Sequence, residues 1–388
     1  MIQTSGTPML IVDGHLDLAF NALHNRRDLT QNVQTLRERE DIYRDGVGPQ
    51  NAHPDAMGKE ASVGDVGVAT VALPELRAAQ VGVVMSTIMA RVQMPTGFLS
   101  DGTRTQAAAH AIGQSHLHYY KALERAGELR FIRTCSDLET AVTAWHSPAL
   151  DEGLRQATPI GLVLSMESAD PILGPDDVSA WYAAGLRSVS LTHFGSNTWG
   201  HGTGTKGGLY ACAYPLLDAL RASGIALDVS HAADLAFWQL LDYWDGPVHA
   251  SHCMCRALVP GQRHLSDDMI KAVTERGGVI GMVLAEPMLN PDINFDDLSN
   301  APAHSTRPMA AIGDHIDHIC QLTGSIDHVA LGSDLDGGFG REWAPVDYDT
   351  VADLQKLPGL LERRGFSSDD VAAIMHGNLL TFLRRILP

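Results

Sequence analysis

The chain has 388 residues, of which 45% are hydrophobic and 19% are charged, so it can bury a large core and is not disordered as a whole. Acidic residues outnumber basic ones by 46 to 28, and the formal net charge of −18 argues against a nucleic-acid or anionic-membrane partner. No stretch approaches the length of about 18 uncharged apolar residues that a membrane-spanning helix needs.

The five cysteines are scattered and contain no CxxC pair, so neither a disulfide framework nor a structural zinc knuckle is indicated. Two of them, Cys253 and Cys255, lie close together, and we expect them to be buried thiols that pack at the rim of the fold. Residues 1–8 lack the basic start and apolar run of a secretory signal. We therefore expect a cytoplasmic protein.

Short apolar, β-branched runs recur along the whole chain. Continuous runs such as IGLVLSME and HVALGSD suit strands that are buried on both faces, as in parallel sheets. We predict eight strands, at residues 10–17, 81–90, 160–167, 187–193, 225–231, 248–252, 279–285 and 328–334.

Helical segments separate most of these strands. We predict helices at residues 73–80, 105–125, 175–184, 211–223, 233–243, 266–276 and 308–323. Glycine commonly ends a helix, and Gly82, Gly185, Gly224 and Gly277 are placed to do so.

Eight strands alternating with helices predict an α/β fold, a (β/α)8 TIM barrel that forms a single domain over residues 1–388. An open doubly wound sheet is the alternative, but no GxGxxG follows the first strand. Residues 24–68 form a long insertion after that strand, and we expect it to cover the active site. Residues 347–388 predict two further helices, with Ser367 as an N-cap.

Residue types that bind metals fall at the carboxyl ends of the predicted strands, where barrel enzymes place their active sites. His15 and Asp17 end the first strand, and their spacing of two directs both side chains to the same face of an extended backbone. The third to sixth strands end at Glu167, His193, His231 and His252, and the eighth ends at Asp334. One such histidine is more often structural, but the register of the whole set with the strands favours a shared metal site.

Other polar residues lack this register. Asp336 precedes Gly337 and is expected to form a turn. We expect the remaining candidate histidines to be structural or exposed: His201, His249, His264, His304, His315 and His318.

These segments resemble the membrane (renal) dipeptidase family, peptidase family M19 of the amidohydrolase superfamily. The resemblance covers nearly the whole chain, through VDGHLDL, SMES, LTHFGSNTW, DVSH, ASHCMCRALVPGQRHLSDDMI, HVALGSDLDG and HGNLLTFLR. It implies a binuclear zinc site in which His15 and Asp17 hold one ion, His231 and His252 hold the other, and Glu167 bridges them. None of the five lysines lies at a predicted strand end, which independently favours Glu167 over a carboxylated lysine as the bridge.

The resemblance also implies an activity, the zinc-dependent hydrolysis of L-Xaa-L/D-Xaa dipeptides. In that reaction His193 would contact the substrate, Arg263 would bind its carboxylate, and Asp334 would exchange protons with the attacking water. Ser168 and Ala169 follow Glu167, where the family usually has glycine.

Other functions and assemblies stay open. An N-acyl-amino-acid deacylase or a lactonase could use the same metal site, and a noncatalytic metal or peptide binder could use the same scaffold. Other divalent transition metals can replace zinc in such ligand sets. A homodimer is the default expectation for assembly.

Overall fold

The computed structural model describes residues 8–44, 67–92, 102–147, 150–293 and 305–388. Residues 45–66, which form half of the predicted insertion, and His304 lie outside these ranges. That the insertion covers the active site therefore stays a prediction.

All eight predicted strands are present, and most are shorter than predicted. The described residues contain nine strands: β1 (Ile11–Leu16), β2 (Val81–Met89), β3 (Leu129–Phe131), β4 (Ile160–Glu167), β5 (Leu186–Ser190), β6 (Ala226–Asp228), β7 (Val248–His249), β8 (Ile280–Met282) and β9 (Val329–Leu331).

The strands form a closed parallel barrel. Their order is β7-β6-β5-β4-β2-β1-β9-β8, and a parallel bridge between Ala250 and Ile280 joins the two ends of this series. Strand β3, which was not predicted, pairs with the start of β4, where Leu129 lies opposite Ile160. Because the ring closes, the (β/α)8 prediction is confirmed and the open doubly wound alternative is wrong.

Helices surround the barrel, and the seven predicted ones are all present. The described helices are α1 (Leu18–Leu23), α2 (Val33–Arg44), α3 (Leu73–Ala78), α4 (Gln106–Ala126), α5 (Cys135–Trp145), α6 (Glu152–Ala157), α7 (Val178–Ala184), α8 (Ala213–Ala222), α9 (Asp234–Tyr243), α10 (Asp267–Thr274), α11 (Glu286–Leu289), α12 (Ile312–Thr323), α13 (Leu357–Arg364), α14 (Ser368–Ala372) and α15 (Asn378–Ile386). The sequence did not predict α1, α2, α5, α6 or α11.

Residues near the chain end form more structure than the two predicted helices. A 3₁₀ helix at Val351–Lys356 precedes α13, and a π turn at Ala373–Gly377 joins α14 to α15. Ser367 is the N-cap of α14, as predicted, and forms a reciprocal capping box with Asp370. Asn378 then donates from Nδ2 to the backbone oxygen of Val329, which ties α15 to strand β9.

Glycine acts in two different ways in this fold. Gly185 follows α7 with a φ of 117°, a left-handed conformation that suits glycine and ends the helix as predicted. The same prediction is wrong for Gly82, which lies inside β2. A Cβ there would approach the Leu10 and Trp145 side chains to 2.6 Å, so close packing requires the glycine.

Both ends of the insertion bind the loop after β9. On one side, the carboxylate of Asp336 accepts hydrogen bonds from the backbone N–H and the hydroxyl of Thr70 and from the backbone N–H of Val71. On the other side, it accepts a hydrogen bond from Nη1 of Arg27. Asp336 has a φ of 60°, and its backbone oxygen accepts from Gly338. It therefore forms the predicted turn and also anchors the insertion to the barrel.

Candidate metal centre

The predicted site residues from six strands meet at the carboxyl end of the barrel. All of them are less than a tenth exposed apart from Asp334, whose side chain is 14% exposed. The cluster contains His15, Asp17, Glu167, His193, His231, His252 and Asp334.

Glu167 lies at the centre of this cluster, and its two oxygens face different groups of side chains. Oε1 lies 3.3 Å from Nε2 of His231 and 3.2 Å from Nε2 of His252. Oε2 lies 3.7 Å from Nε2 of His15, which in turn is 3.8 Å from Oδ2 of Asp17. One carboxylate thus connects two sets of potential metal ligands.

The spacing of these atoms fits a cation of the size of zinc. Zinc binds nitrogen and oxygen ligands at about 2.0–2.2 Å in a tetrahedron, which separates neighbouring ligand atoms by about 3.3–3.6 Å. The three distances among Glu167 Oε1, His231 Nε2 and His252 Nε2 are 3.1, 3.2 and 3.3 Å. In the second set, Nε2 of His15 is buried and has no hydrogen-bond partner. A buried nitrogen in this state is suited to bind a metal.

Hydroxyl groups hold the outer faces of the cluster. Thr203 Oγ1 lies 3.2 Å from Nδ1 of His231, and Thr87 Oγ1 donates to Oδ1 of Asp17. Partners of this kind fix the orientation of metal-binding side chains. Sequence reasoning missed both threonines because each lies on a strand or loop far from its partner in the chain.

Burial and charge shift the ionisation of the cluster. Burial and the neighbouring Asp17 raise the pKa of Glu167 to about 8, and burial raises the pKa of Asp334 to about 7. Burial opposes a charge on His15, but the carboxylates of Glu167, Asp17 and Asp334 together raise its pKa to about 10. Without cations the cluster therefore retains protons that metal binding would displace.

Two arginines lie beside the cluster. Arg263, predicted to bind the substrate, is buried and donates from Nη2 to the backbone oxygen of His252 over 2.8 Å and from Nη1 to Sγ of Cys253. Arg91 was not predicted from the sequence. Its Nη1 lies 3.1 Å from Nδ1 of His193. Both guanidinium groups add positive charge to the face of the site that His193 occupies.

Three residues of the site have left-handed backbone conformations, which are uncommon outside glycine. His231 and Asp334, with φ of 64° and 57°, occupy turns that follow their strands. Ser168 has a φ of 70°, at a position where the resemblance leads us to expect glycine. Its hydroxyl donates to Asp170 and accepts from Asn197, and these bonds stabilise the turn after Glu167.

Comparison with known proteins agrees with the site. A family model described as membrane dipeptidase, peptidase family M19, matches residues 6–387. The chain belongs to this family.

Curated relatives of this M19 chain include proteins with and without an assigned activity. A Klebsiella pneumoniae protein described as uncharacterized, from the pqqA 5′ region, is 30% identical over 270 residues, which cover 67% of this chain and 90% of that protein. Dipeptidase 3 of Rattus norvegicus is 26% identical over 280 residues, which cover 68% of this chain and 52% of its own length. The chain thus spans about half the length of the mammalian dipeptidases it matches.

Solved structures of similar peptidases share the fold. A metallopeptidase from Rhodobacter sphaeroides, bound to a phosphinate mimic of L-Ala-D-Ala, has a TM-score of 0.71 at 19% identity and covers 98% of this chain and 100% of its own. The probable dipeptidase PvdM of Pseudomonas aeruginosa has a TM-score of 0.72 at 18% identity and covers 98% of this chain and 96% of its own.

The other candidate histidines of this M19 chain lie apart from the cluster. His249 bonds through Nε2 to Ser188, His201 to the Tyr210 hydroxyl, and His318 to Asp267. His264 and His315 are buried, and Nδ1 of His315 accepts from the backbone of Cys255. The prediction that they are structural or exposed agrees with these positions, and Cys253 and Cys255 are buried free thiols as expected.

A cavity opens beside the site, at the ends of β1 and β2. It has a volume of about 340 Å³ and is lined by apolar side chains such as Met89 and by the polar groups of Arg91 and His116. Met89 lies opposite Glu167 in the β2–β4 register, so the cavity adjoins the candidate metal centre. Within the described residues, no helix combines the length and the apolar character that a bilayer crossing requires.

Proposed function

We propose that this chain is a metal-dependent dipeptidase that hydrolyses L-Xaa-L/D-Xaa dipeptides with two divalent cations. The proposed cations are zinc ions. The observation that carries this proposal is the position of Glu167, whose two oxygens face separate sets of ligand atoms. Membership of the M19 family supports the substrate class.

The residues divide between two cation positions. His15 and Asp17 would hold one cation, His231 and His252 the other, and Glu167 would contact both. Each of these two sets, with Glu167 included, brings its ligand atoms within 4.8 Å of one another. When bound, a pair of cations supplies an activated water and polarises the carbonyl of the scissile bond.

Asp334 is placed to transfer the proton. Its Oδ1 lies 3.8 Å from Nε2 of His15. Asp334, His15 and His252 each offer one ligand atom within 4.8 Å of the others, so the carboxylate borders both proposed cation positions. Burial raises the pKa of Asp334 to about 7, which suits a group that accepts a proton and returns it near neutral pH. We assign it the proton of the attacking water, which it passes to the leaving amine.

His193 and Arg263 would bind the substrate. Nε2 of His193 lies 3.5 Å from Oε1 of Glu167, where its N–H can stabilise charge on the carbonyl oxygen. Each of the two terminal nitrogens of Arg263 carries two hydrogens. One hydrogen of Nη2 bonds to His252 and one hydrogen of Nη1 bonds to Cys253. The second hydrogen on each nitrogen can bind the terminal carboxylate of a short substrate.

A panel of substrates tests the proposal. Protein loaded with zinc should hydrolyse L,L and L,D dipeptides and should release much less product from the matching N-acetyl amino acids and from lactones. Preference for N-acetyl amino acids or lactones would assign the chain to the deacylase or lactonase alternative. Protein with two bound cations that hydrolyses no dipeptide in the panel would overturn the dipeptidase proposal.

The Arg263→Lys variant checks the carboxylate clamp. A lysine keeps the positive charge but cannot form the bidentate pair, so KM for dipeptides should rise at least about tenfold while the metal content stays the same. An unchanged KM would remove Arg263 from the proposed binding site.

Cellular location and assembly are part of the proposal. All five cysteines are free thiols, and Cys212 is exposed, which suits the reducing cytoplasm. A homodimer is proposed as the assembly, and light scattering of the purified protein measures it directly. A monomer mass would contradict it.

A further inference from the structure

One buried hydroxyl contacts histidines of both proposed cation positions. Ser251 Oγ lies 2.7 Å from Nδ1 of His252 and 3.3 Å from Nδ1 of His15. It also lies 2.5 Å from Oδ2 of Asp228. All four residues are less than a tenth exposed, so water does not compete readily for these bonds.

The chemistry of the partners sets the direction of each bond. Oδ1 of Asp228 accepts the backbone N–H groups of Ser230 and Ser251, as an ionised carboxylate does. Its Oδ2 therefore accepts the single hydrogen of the Ser251 hydroxyl. The two lone pairs that remain on Oγ can only accept. The His252 ring lies 2.7 Å away, and the His15 ring and the Ser230 hydroxyl each lie 3.3 Å away.

Both rings must then carry their hydrogen on Nδ1. Once metal binding has displaced the extra proton of His15, each imidazole is neutral and has one N–H, so a donor at Nδ1 leaves Nε2 of His15 and of His252 with a bare lone pair. These are the two Nε2 atoms that face Glu167. A bare nitrogen is the form that binds a metal.

We propose that the Asp228–Ser251 pair is a positioning unit shared by both cation sites, in which one hydroxyl fixes the tautomer and orientation of one histidine ligand in each. The inference rests on the two-cation function proposed above. His231 is oriented separately by Thr203, so the shared unit acts on only two of the three histidine ligands.

A second aspartate–serine pair in the barrel offers a matched control. Ser333 Oγ donates to Oδ2 of Asp13 over the same 2.5 Å, and Oδ1 of Asp13 accepts the backbone N–H groups of His15 and Ser333. Each pair joins two adjacent strands, β6 with β7 and β1 with β9. Within the described residues, the Ser333 hydroxyl bonds to no histidine ring. The Asp228–Ser251 pair contacts two histidine rings, and the Asp13–Ser333 pair contacts none among the described residues.

The test compares Ser251→Ala with Ser333→Ala. Each variant removes one buried serine–aspartate bond, so the melting temperatures of the two metal-free proteins should fall by similar amounts. Competition with a chromophoric chelator then measures the two zinc dissociation constants. Loss of a partner that orients a metal ligand typically weakens metal binding by about 10- to 100-fold. We expect that loss at both sites for Ser251→Ala and less than about threefold for Ser333→Ala.

A second variant keeps the test informative if Ser251→Ala does not fold. In Asp228→Asn the amide must direct its NH₂ either at Ser251 or at the two backbone N–H groups, so the donor pattern around the hydroxyl is broken. Zinc affinity should again fall at both sites.

Three results would overturn the shared unit. They are a loss confined to one of the two zinc ions, an equal loss in the Ser333→Ala control, and binding of fewer than two ions by the unaltered protein. Two bound ions with no dipeptide hydrolysis would instead overturn the proposed function, and the metal titration would still decide the inference.

Discussion

Arg91 and His193 are joined by a 3.1 Å contact between Nη1 of the guanidinium and Nδ1 of the imidazole. A guanidinium can only donate, so Nδ1 accepts and the ring hydrogen resides on Nε2. Burial lowers the pKa of Arg91 to about 10, which leaves it charged at neutral pH. Burial and the charge of Arg91 hold the pKa of His193 well below its usual value. His193 is therefore a neutral N–H donor rather than a proton-transfer group.

The Arg91→Met variant tests this arrangement. Without the donor, the ring of His193 can adopt either tautomer, and we expect kcat for a dipeptide to fall by about 10- to 100-fold. That is less than the loss caused by removing an oxyanion donor outright, which is about 10²- to 10³-fold. Zinc content should not change, which elemental analysis of the same samples would verify.

Arg91→Lys is the matched control. An ammonium group also donates without accepting, so this variant should retain most of kcat if the tautomer of His193 matters. Equal losses for lysine and methionine would show that Arg91 acts by its shape rather than by its hydrogen bond.

Glu167→Gln should lose at least one zinc ion and most of the activity. A glutamine side chain offers one neutral oxygen and an NH₂ group, and it cannot present two anionic oxygens to two cations. Elemental analysis and turnover of a dipeptide measure both effects. Glu286→Gln is the control, because Glu286 is also buried but binds the hydroxyls of Ser305 and Thr306 away from the cluster. Full zinc content with normal turnover would remove Glu167 from the bridging position.

The sequence predicted the barrel and the central cluster because both depend on local patterns. Apolar runs mark the strands, and residues that end parallel strands meet at one edge, so the register of Glu167 with His231 and His252 was readable from spacing alone. Strand β3 has only three residues and α1 only six, too few for a period to be recognised.

The hydrogen bonds around the cluster were not predictable in this way. Arg91 and His193 are 102 residues apart, and the partners Ser251 and His15 are 236 apart. The pairing of β2, β4 and β5 brings Arg91 and His193 together, and the closure of the ring brings Ser251 and His15 together. Asp336 was recognised as a turn residue because its neighbours are local, but its bonds to Thr70 and Arg27 depend on where the insertion returns to the barrel.

Stability of the metal-free protein should fall as the pH rises from about 7.5 to 8.5. In this range the carboxyls of the unfolded chain are ionised and its histidines are almost entirely neutral, so the buried histidines that the fold keeps neutral do not offset the effect. The folded protein still holds a proton on Glu167, with a pKa of about 8, and on His15, with a pKa of about 10. Unfolding then releases protons, so the free energy of unfolding decreases with pH by about 1.4 kcal/mol per pH unit for each proton released.

Urea unfolding of chelator-treated protein at several pH values measures this slope. Zinc replaces these protons in the folded state, so the zinc-loaded protein should lack the decrease. The same decrease in both forms would mean that the cluster does not hold the responsible protons.

The Asp336→Asn variant should destabilise the protein more than any exposed acidic substitution near the insertion. The carboxylate accepts hydrogen bonds from Thr70, Val71 and Arg27. The NH₂ group of an asparagine can only donate, so at least one of these donors would lose its acceptor. Arg27 keeps its ion pair with Glu40, so the loss should come from the buried donors that Asp336 no longer accepts, at about 1–3 kcal/mol for each donor left unsatisfied. Asp349→Asn is the control, because Asp349 pairs with Arg37 at a position that is 64% exposed, where such pairs contribute less than about 1 kcal/mol. Urea unfolding of both zinc-loaded variants measures the difference. Equal losses would show that the bonds of Asp336 do not anchor the insertion.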